Sequence, residues 1–294
     1  MIYYYRCFNK ILKLKLENPK VENLDFWLER FCPNIELLLS LSNGCDVDFS
    51  IELYDSDVYD YILENNTIKL YGQKDNYESY LAKFITQVFQ KLLLDDDIFI
   101  FPAACVANEK DCILIIGDFW QGKTSTALSI SKTYNLNLVS DNYIAIKKGK
   151  VIGATKYLSI RKEDVETGFH TLLTINDRLF FDNSSLFINE NLNIKGFILP
   201  FINSSDNNIH TISAEESKWY LYQKFIRLLS GETILFNGNL PSPTFISKSA
   251  SLLILRVVND LLQENNILYI SAGMSIIVKE SYKILFDEGV DKSE

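Results

Sequence analysis

The sequence predicts an α/β protein in two parts: an α+β region up to residue 95, and a longer region with a mainly β core after it. Three observations lead there. Short β-runs broken by polar turns fill the first part, apolar residues recur at helical spacing from Asn76 to Leu93, and past residue 98 apolar runs of strand length flank a glycine-containing loop that opens a helix. The acidic run Asp95-Asp96-Asp97 ends the long helix and divides the chain into an accessory domain, 1–95, and a second domain, 96–294.

In chain order, "MIYYYRCF", "ILKLKL", "VDFSIELY" and "TIKLYG" are predicted strands, with a helix over Asn23 to Phe31 among them. The next helix carries Tyr77, Tyr80, Leu81, Phe84, Ile85, Val88, Phe89 and Leu92 on its apolar stripe. "IFIFPAACV" and "CILIIG", around the polar turn "ANEKD", predict a hairpin. A helix follows from Lys123 to Tyr134, and "LNLVSDNYIAIKKGKVIGA" predicts a strand, an acidic turn and a second hairpin turning at "KKGK". "LNIKGFILPFI" is a core strand, two helices are expected at 214–230 and 247–264, and the tail "DEGVDKSE" is expected to fray.

Composition narrows the function classes. A chain of 294 residues that is 47% hydrophobic can bury a substantial core. Its net charge of -9 leaves no excess of Lys and Arg to replace the counterions of a phosphate backbone, so nucleic-acid binding is not expected. No apolar run is long enough to insert in a membrane. Five scattered cysteines, Cys7, Cys32, Cys45, Cys105 and Cys112, form no CxxC and fit reduced thiols in a cytoplasm. The abundance of Ile, Asn, Lys and Tyr suits an AT-rich bacterial coding sequence.

The strongest motif is "GDFWQGKT", which matches G-x-x-x-x-G-K-T at Gly117, Gly122, Lys123 and Thr124. Its flanks are those the chemistry needs. The run Cys112 to Ile116 leads into the turn, and the following helix aims backbone N–H groups and a positive dipole end at a polyphosphate such as ATP. Lys123 is expected to reach the terminal phosphates, and Thr124 to place a hydroxyl on Mg²⁺ with Ser125 as a further donor. The plain alternative is a chance match in a strand, turn and helix. Asp118, Phe119, Trp120 and Gln121 fill the free positions, where small residues are usual, so at least one aromatic ring is expected to turn outward and leave the amides available.

A carboxylate follows the helix at Asp141. It is expected on a strand beside the loop strand, where it would hold Mg²⁺ or take a proton from an attacking hydroxyl; it would equally serve as a turn residue. Arg161, at the end of an apolar run, is a candidate for neutralising phosphate charge or for an ordinary surface ion pair. His170 and His210 are isolated and read as surface or packing residues.

The segments "FPAACVANEKDCILIIGDFWQGKTSTALSI" and "LNLVSDNYIAI" resemble the HPr kinase/phosphorylase family and its relatives, the small kinases of bacterial peptide-modification systems. The likeness covers residues 98–161, and more loosely "GFILPF", "SAEESKWYLYQKF" and "LPSP". It implies a phosphoenolpyruvate-carboxykinase-like P-loop fold, ATP and Mg²⁺ as ligands, and transfer of the γ-phosphate to a Ser or Thr hydroxyl of a peptide or small protein. It also implies Asp141 as the base and admits a homo-oligomer. Three family features differ. The Asp-Asp pair is Asp141-Asn142, the Glu of a Glu-Ile-Arg-Gly segment is Ser159 before Ile160 and Arg161, and the His ahead of the loop strand has only Pro102 or Ala103 near its place. Phosphorylase activity is therefore not expected. The residues leave open three functions: a kinase, a nucleotide-binding adaptor without chemistry, and an ATPase that acts on a partner protein.

Overall fold

A computed structural model describes residues 1–17, 23–40, 45–72, 78–118, 121–162, 173–175, 178–183, 191–231, 234–235 and 239–286. It is an α/β protein, with strand (41%) outweighing helix (34%). The chain divides into two compact units. The first contains Met1–Ile100 and Lys224–Leu253, and the second Phe101–Gln223 and Ile254–Glu294. The sequence division at residue 95 had assigned everything beyond it to one domain, whereas Lys224–Leu253 groups with the first unit.

The first unit is built on a six-stranded mixed sheet. Its strands are β1 (Ile2–Cys7), β2 (Lys10–Leu16), β3 (Ile35–Leu38), β4 (Phe49–Asp55), β5 (Asp60–Glu64) and β6 (Thr67–Gly72), in the order β3-β1-β2-β4-β6-β5. Period-two alternation sends Leu12, Leu14, Leu16, Ile51, Leu53, Ile68 and Leu70 into the core. Each such burial contributes roughly 1.5–3 kcal/mol. Helices α1 (Leu24–Phe31) and α2 (Glu78–Leu93) pack on each other. The predicted start of α2 at Asn76 and Tyr77 lies outside the described residues. Gln87, buried on α2, explains why the late segment belongs here. Its amide nitrogen donates to the Pro243 carbonyl at 2.7 Å, and its oxygen accepts from the Ser242 hydroxyl at 2.9 Å, so neither polar end is buried unpaired. Phe245 stacks on Phe84 at 6.3 Å between ring centroids.

The chain passes from the first unit to the second within β7 (Phe99–Pro102). Ala103 separates it from β8 (Ala104–Ala107), which pairs antiparallel with β9 (Asp111–Ile115). The expected hairpin thus forms from the second half of "IFIFPAACV" only. Helix α3 (Lys123–Tyr134) follows, then β10 (Asn137–Ser140), and β11 (Tyr143–Lys147) and β12 (Lys150–Ala154), which form the second predicted hairpin. A small sheet of β13 (Tyr157–Arg161), β14 (Leu173–Ile175) and β15 (Arg178–Asp182) comes next, in the order β13-β15-β14. The long strand β16 (Leu192–Ile202) pairs with β12 at its start and runs parallel to β9. Its far end runs parallel to β20 (Ile267–Ala272), whose other edge takes β17 (Asn207–Thr211). The main order is β10-β8-β9-β16-β12-β11-β7.

Helix α4 (Ala214–Arg227) leads out of the second unit to the short pair β18 (Ile234–Leu235) and β19 (Leu240–Pro241), and α5 (Lys248–Glu264) leads back. Helix α6 (Met274–Phe286) packs beside α3, and Ala127, Ile130 and Ile277 share a core with Ile113, Ile115 and Ile198 of the sheet. The tail expected to fray, 287–294, lies outside the described residues. Among the described residues no helix is long and apolar enough to cross a membrane.

Candidate functional site

Strand β9 delivers the chain to Gly117, and α3 starts at Lys123 with Gly122 as its N-cap. Both glycines have positive φ, 149° and 83°. A Cβ at Gly117 would lie 2.6 Å from Gln121 Oε1, and one at Gly122 would meet the Ile202 side chain; these are ends of flexible side chains that can shift, so it is the positive φ that favours glycine at both positions. Gly122 offers no side-chain cap to the first turn of α3. The first-turn N–H groups of α3 thus take no side-chain cap from Gly122, as at any helix N-terminus that a glycine opens.

The loop is closed on itself. Lys123 Nζ donates to the carbonyls of Gly117 at 2.9 Å and Asp118 at 2.7 Å. The Asp118 amide donates to Gln121 Oε1 at 2.6 Å. An ammonium and an amide suited to phosphate oxygens thus bond to oxygens of the loop. Thr124 and Ser125 are half-buried in the first turn. Tyr220, on α4, belongs to the same neighbourhood, since burial and then the charge of Asp118 push its hydroxyl above the usual range. Phe119 and Trp120 lie outside the described residues, and with them the expected outward turn of an aromatic ring.

Asp141 follows β10 and is only 4% exposed. Its expected position beside the loop strand needs correction. Strand β8, the hairpin partner of β9, fills that edge, so β10 lies one strand further out. Two antiparallel steps make β10 parallel to β9, and Ser140 is level with Cys105 and hence with Leu114. Asp141 therefore stands at the same end of the sheet as the loop, about 10 Å across at the usual strand spacing.

The carboxylate is held by residues distant in sequence. Asp141 Oδ2 accepts from the Ser159 amide at 3.2 Å. Asn183 Nδ2 donates to the carbonyls of Leu138 and Val139, at 3.1 and 2.8 Å, and secures the strand leading to Asp141. Ser140 Oγ donates to the Tyr143 carbonyl at 2.9 Å and accepts from the Asn142 amide at 3.2 Å, forming the turn itself. Arg178 Nη1 donates to Ser159 O at 3.2 Å and Ser159 Oγ at 3.0 Å. Arg161 lies two residues past Ser159, directly opposite Arg178.

The loop residues thus come together at one place, and Asp141, Ser159, Arg161 and Arg178 at another on the same unit. Arg178 and Asn183 were missed from sequence. "INDRLFF" has a turn signal followed by strand-forming residues, but nothing in it says that β15 pairs with β13. His210 is exposed beside Tyr269, as a surface residue should be, and His170 lies outside the described residues. Among the described residues no three His, Cys, Asp or Glu side chains gather as a metal site. No protein-family model matches the chain, and no curated protein matches it.

Proposed function

We propose that the second unit binds Mg·ATP on the loop Gly117–Ser125 and transfers the γ-phosphate to a Ser or Thr hydroxyl of a peptide or small protein. The observation that carries this is the pairing of a glycine-opened helix N-terminus with a buried carboxylate, Asp141, at the same end of parallel strands.

In this reading Lys123 leaves the carbonyls of Gly117 and Asp118 for the terminal phosphates, and the α3 amides hold the anion. Thr124 and Asp141 are the ligands the chain offers to Mg²⁺, which when bound offsets charge on the β- and γ-phosphates. Asp141, oriented by the Ser159 amide, takes the proton of the acceptor hydroxyl as its oxygen bonds to γ-phosphorus and the bond to ADP breaks. The work is cytoplasmic, where ATP and reduced thiols coexist.

A second reading has its own support. The self-closed loop and the amide Asn142, where the family carries a second carboxylate, favour a nucleotide-binding adaptor without chemistry. Incubation with Mg·ATP and short Ser- or Thr-containing peptides separates the outcomes. A phosphopeptide supports the kinase, and free phosphate without acceptor points to an ATPase. Binding without turnover selects the adaptor, and absence of binding at millimolar Mg·ATP sinks all three.

A further inference from the structure

The fold brings together two cysteines that the sequence keeps apart. Cys7 ends β1, level with Lys10 of β2 and with Ile35 of β3. Cys32 caps the C-terminus of α1, 25 residues further on, with its amide on the Leu28 carbonyl at 2.7 Å. The turn from Cys32 to Asn34 then returns the chain to β3 beside Cys7. Both side chains are buried and their sulfurs lie 3.7 Å apart, the Cys32 thiol donating to Cys7 Sγ. The Cys7 thiol in turn donates to the Pro33 carbonyl at 3.2 Å.

Two thiols in contact are a short approach from a disulfide, whose sulfurs are about 2.0 Å apart. Cys32 lies in a turn outside any strand, so the turn can give the remaining distance. The second buried pair differs. Cys105 and Cys112 stand diagonally across β8 and β9, since Cys105 is opposite Leu114 and Cys112 opposite Ala107. Both strands are also paired on their other edges, β8 with β10 and β9 with β16, which holds the two backbones in place. Burial, and after it the hydrogen bond with Cys32, pushes the Cys7 thiol well above its usual range, so Cys7 is a poor nucleophile in the closed fold. An oxidant therefore reaches the pair through the turn that carries Cys32.

We propose that Cys7 and Cys32 are a reversible disulfide site that braces the first unit under oxidising conditions. The site is independent of what the glycine loop binds. Its oxidant is a small-molecule disulfide. When the turn opens, the Cys32 thiolate attacks that reagent, forming a mixed disulfide and releasing one thiolate. On reclosing, the Cys7 sulfur bonds to the Cys32 sulfur, the bond from Cys32 to the reagent breaks, and the second thiolate leaves. The two protein thiols give up two protons and two electrons, and the reagent becomes two thiols. The new bond ties the end of β1 to the end of α1 and closes a loop spanning 25 residues, which removes chain entropy from the unfolded state. A reducing cytoplasm undoes the bond through the same opening, so it acts as a switch and not as a permanent brace.

Oxidation of the full chain with glutathione disulfide tests the site, followed by denaturation, alkylation of the remaining thiols, digestion and mass spectrometry. The expected product is a peptide pair joined through Cys7 and Cys32, with Cys105 and Cys112 alkylated. The thermal midpoint of the oxidised chain should rise by roughly 5–10 °C, and dithiothreitol should return it to its starting value. Cys32→Ala should abolish the rise, whereas Cys45→Ser, at an exposed thiol, should keep it. If Cys32→Ala fails to fold, the mapping of the wild-type chain still decides. A chain that keeps both thiols free, carries glutathione on either, or links either to another cysteine overturns the site. A bond between Cys7 and Cys32 that leaves the midpoint unchanged, or lowers it, overturns the bracing of the first unit.

Discussion

The glycine loop before α3 and the corner around Asp141 lie at the same end of one sheet but are held in opposite ways. The hydrogen bonds by which Lys123 and Gln121 close the loop are short in sequence, Lys123 reaching back six residues to Gly117 and Gln121 three to Asp118. The corner is held across longer spans, with Ser159 18 residues from Asp141 and Asn183 44 from Val139. A locally closed loop can open without disturbing the sheet, so it suits a part that exchanges ligands. The Asp141 carboxylate is met by an amide of β13 and the strand leading to it is held by Asn183, so its position depends on tertiary pairing.

Four substitutions break or sharpen this contrast. The largest effect is expected at the corner. Asp141→Asn keeps shape and removes charge, and should lower phosphoryl transfer by roughly 10²–10⁴ while nucleotide affinity stays within about tenfold. Single-turnover kinetics with a phosphorylatable peptide would show it; a variant as fast as wild type removes Asp141 from the mechanism.

At the loop, Lys123→Ala should cost about 1.5–3 kcal/mol of Mg·ATP binding, the value of one charge-assisted contact. Calorimetry decides this, and unchanged affinity would contradict the loop assignment. Gly122→Ala forces a Cβ into the left-handed region and toward Ile202, and should destabilise the second unit by about 1–3 kcal/mol. Chemical denaturation reads that loss. Adding Ile202→Ala should relieve the crowding but not the backbone strain, so full recovery would show that φ at Gly122 was irrelevant.

The smallest effect is expected at Gln121. Its side chain occupies the Asp118 amide, so Gln121→Ala should free a donor and tighten nucleotide binding by about 2- to 10-fold, the range of a single neutral hydrogen bond. Weaker binding would mean that Gln121 contributes to the nucleotide site instead of closing it. Together the four values test whether the loop is a local device and the corner a tertiary one.

What was legible in the chain follows the same line. The strand Cys112–Ile116, the glycines and helix α3 were readable because φ, turn chemistry and helix period are set by neighbours a few residues away. The alternation of "ILKLKL" and the stripe of α2 were readable for the same reason. Three things depended on which strands meet. Only pairing put β8 between β9 and β10 and moved Asp141 one strand outward. Only pairing set Arg178 opposite Arg161 and beside Ser159. Only packing returned Lys224–Leu253 to the first unit, where buried Gln87 requires Pro243 and Ser242 to satisfy its amide. Contacts over tens of residues arise from burying a shared core and pairing its polar groups, and no local pattern in one sequence encodes which distant partner supplies them.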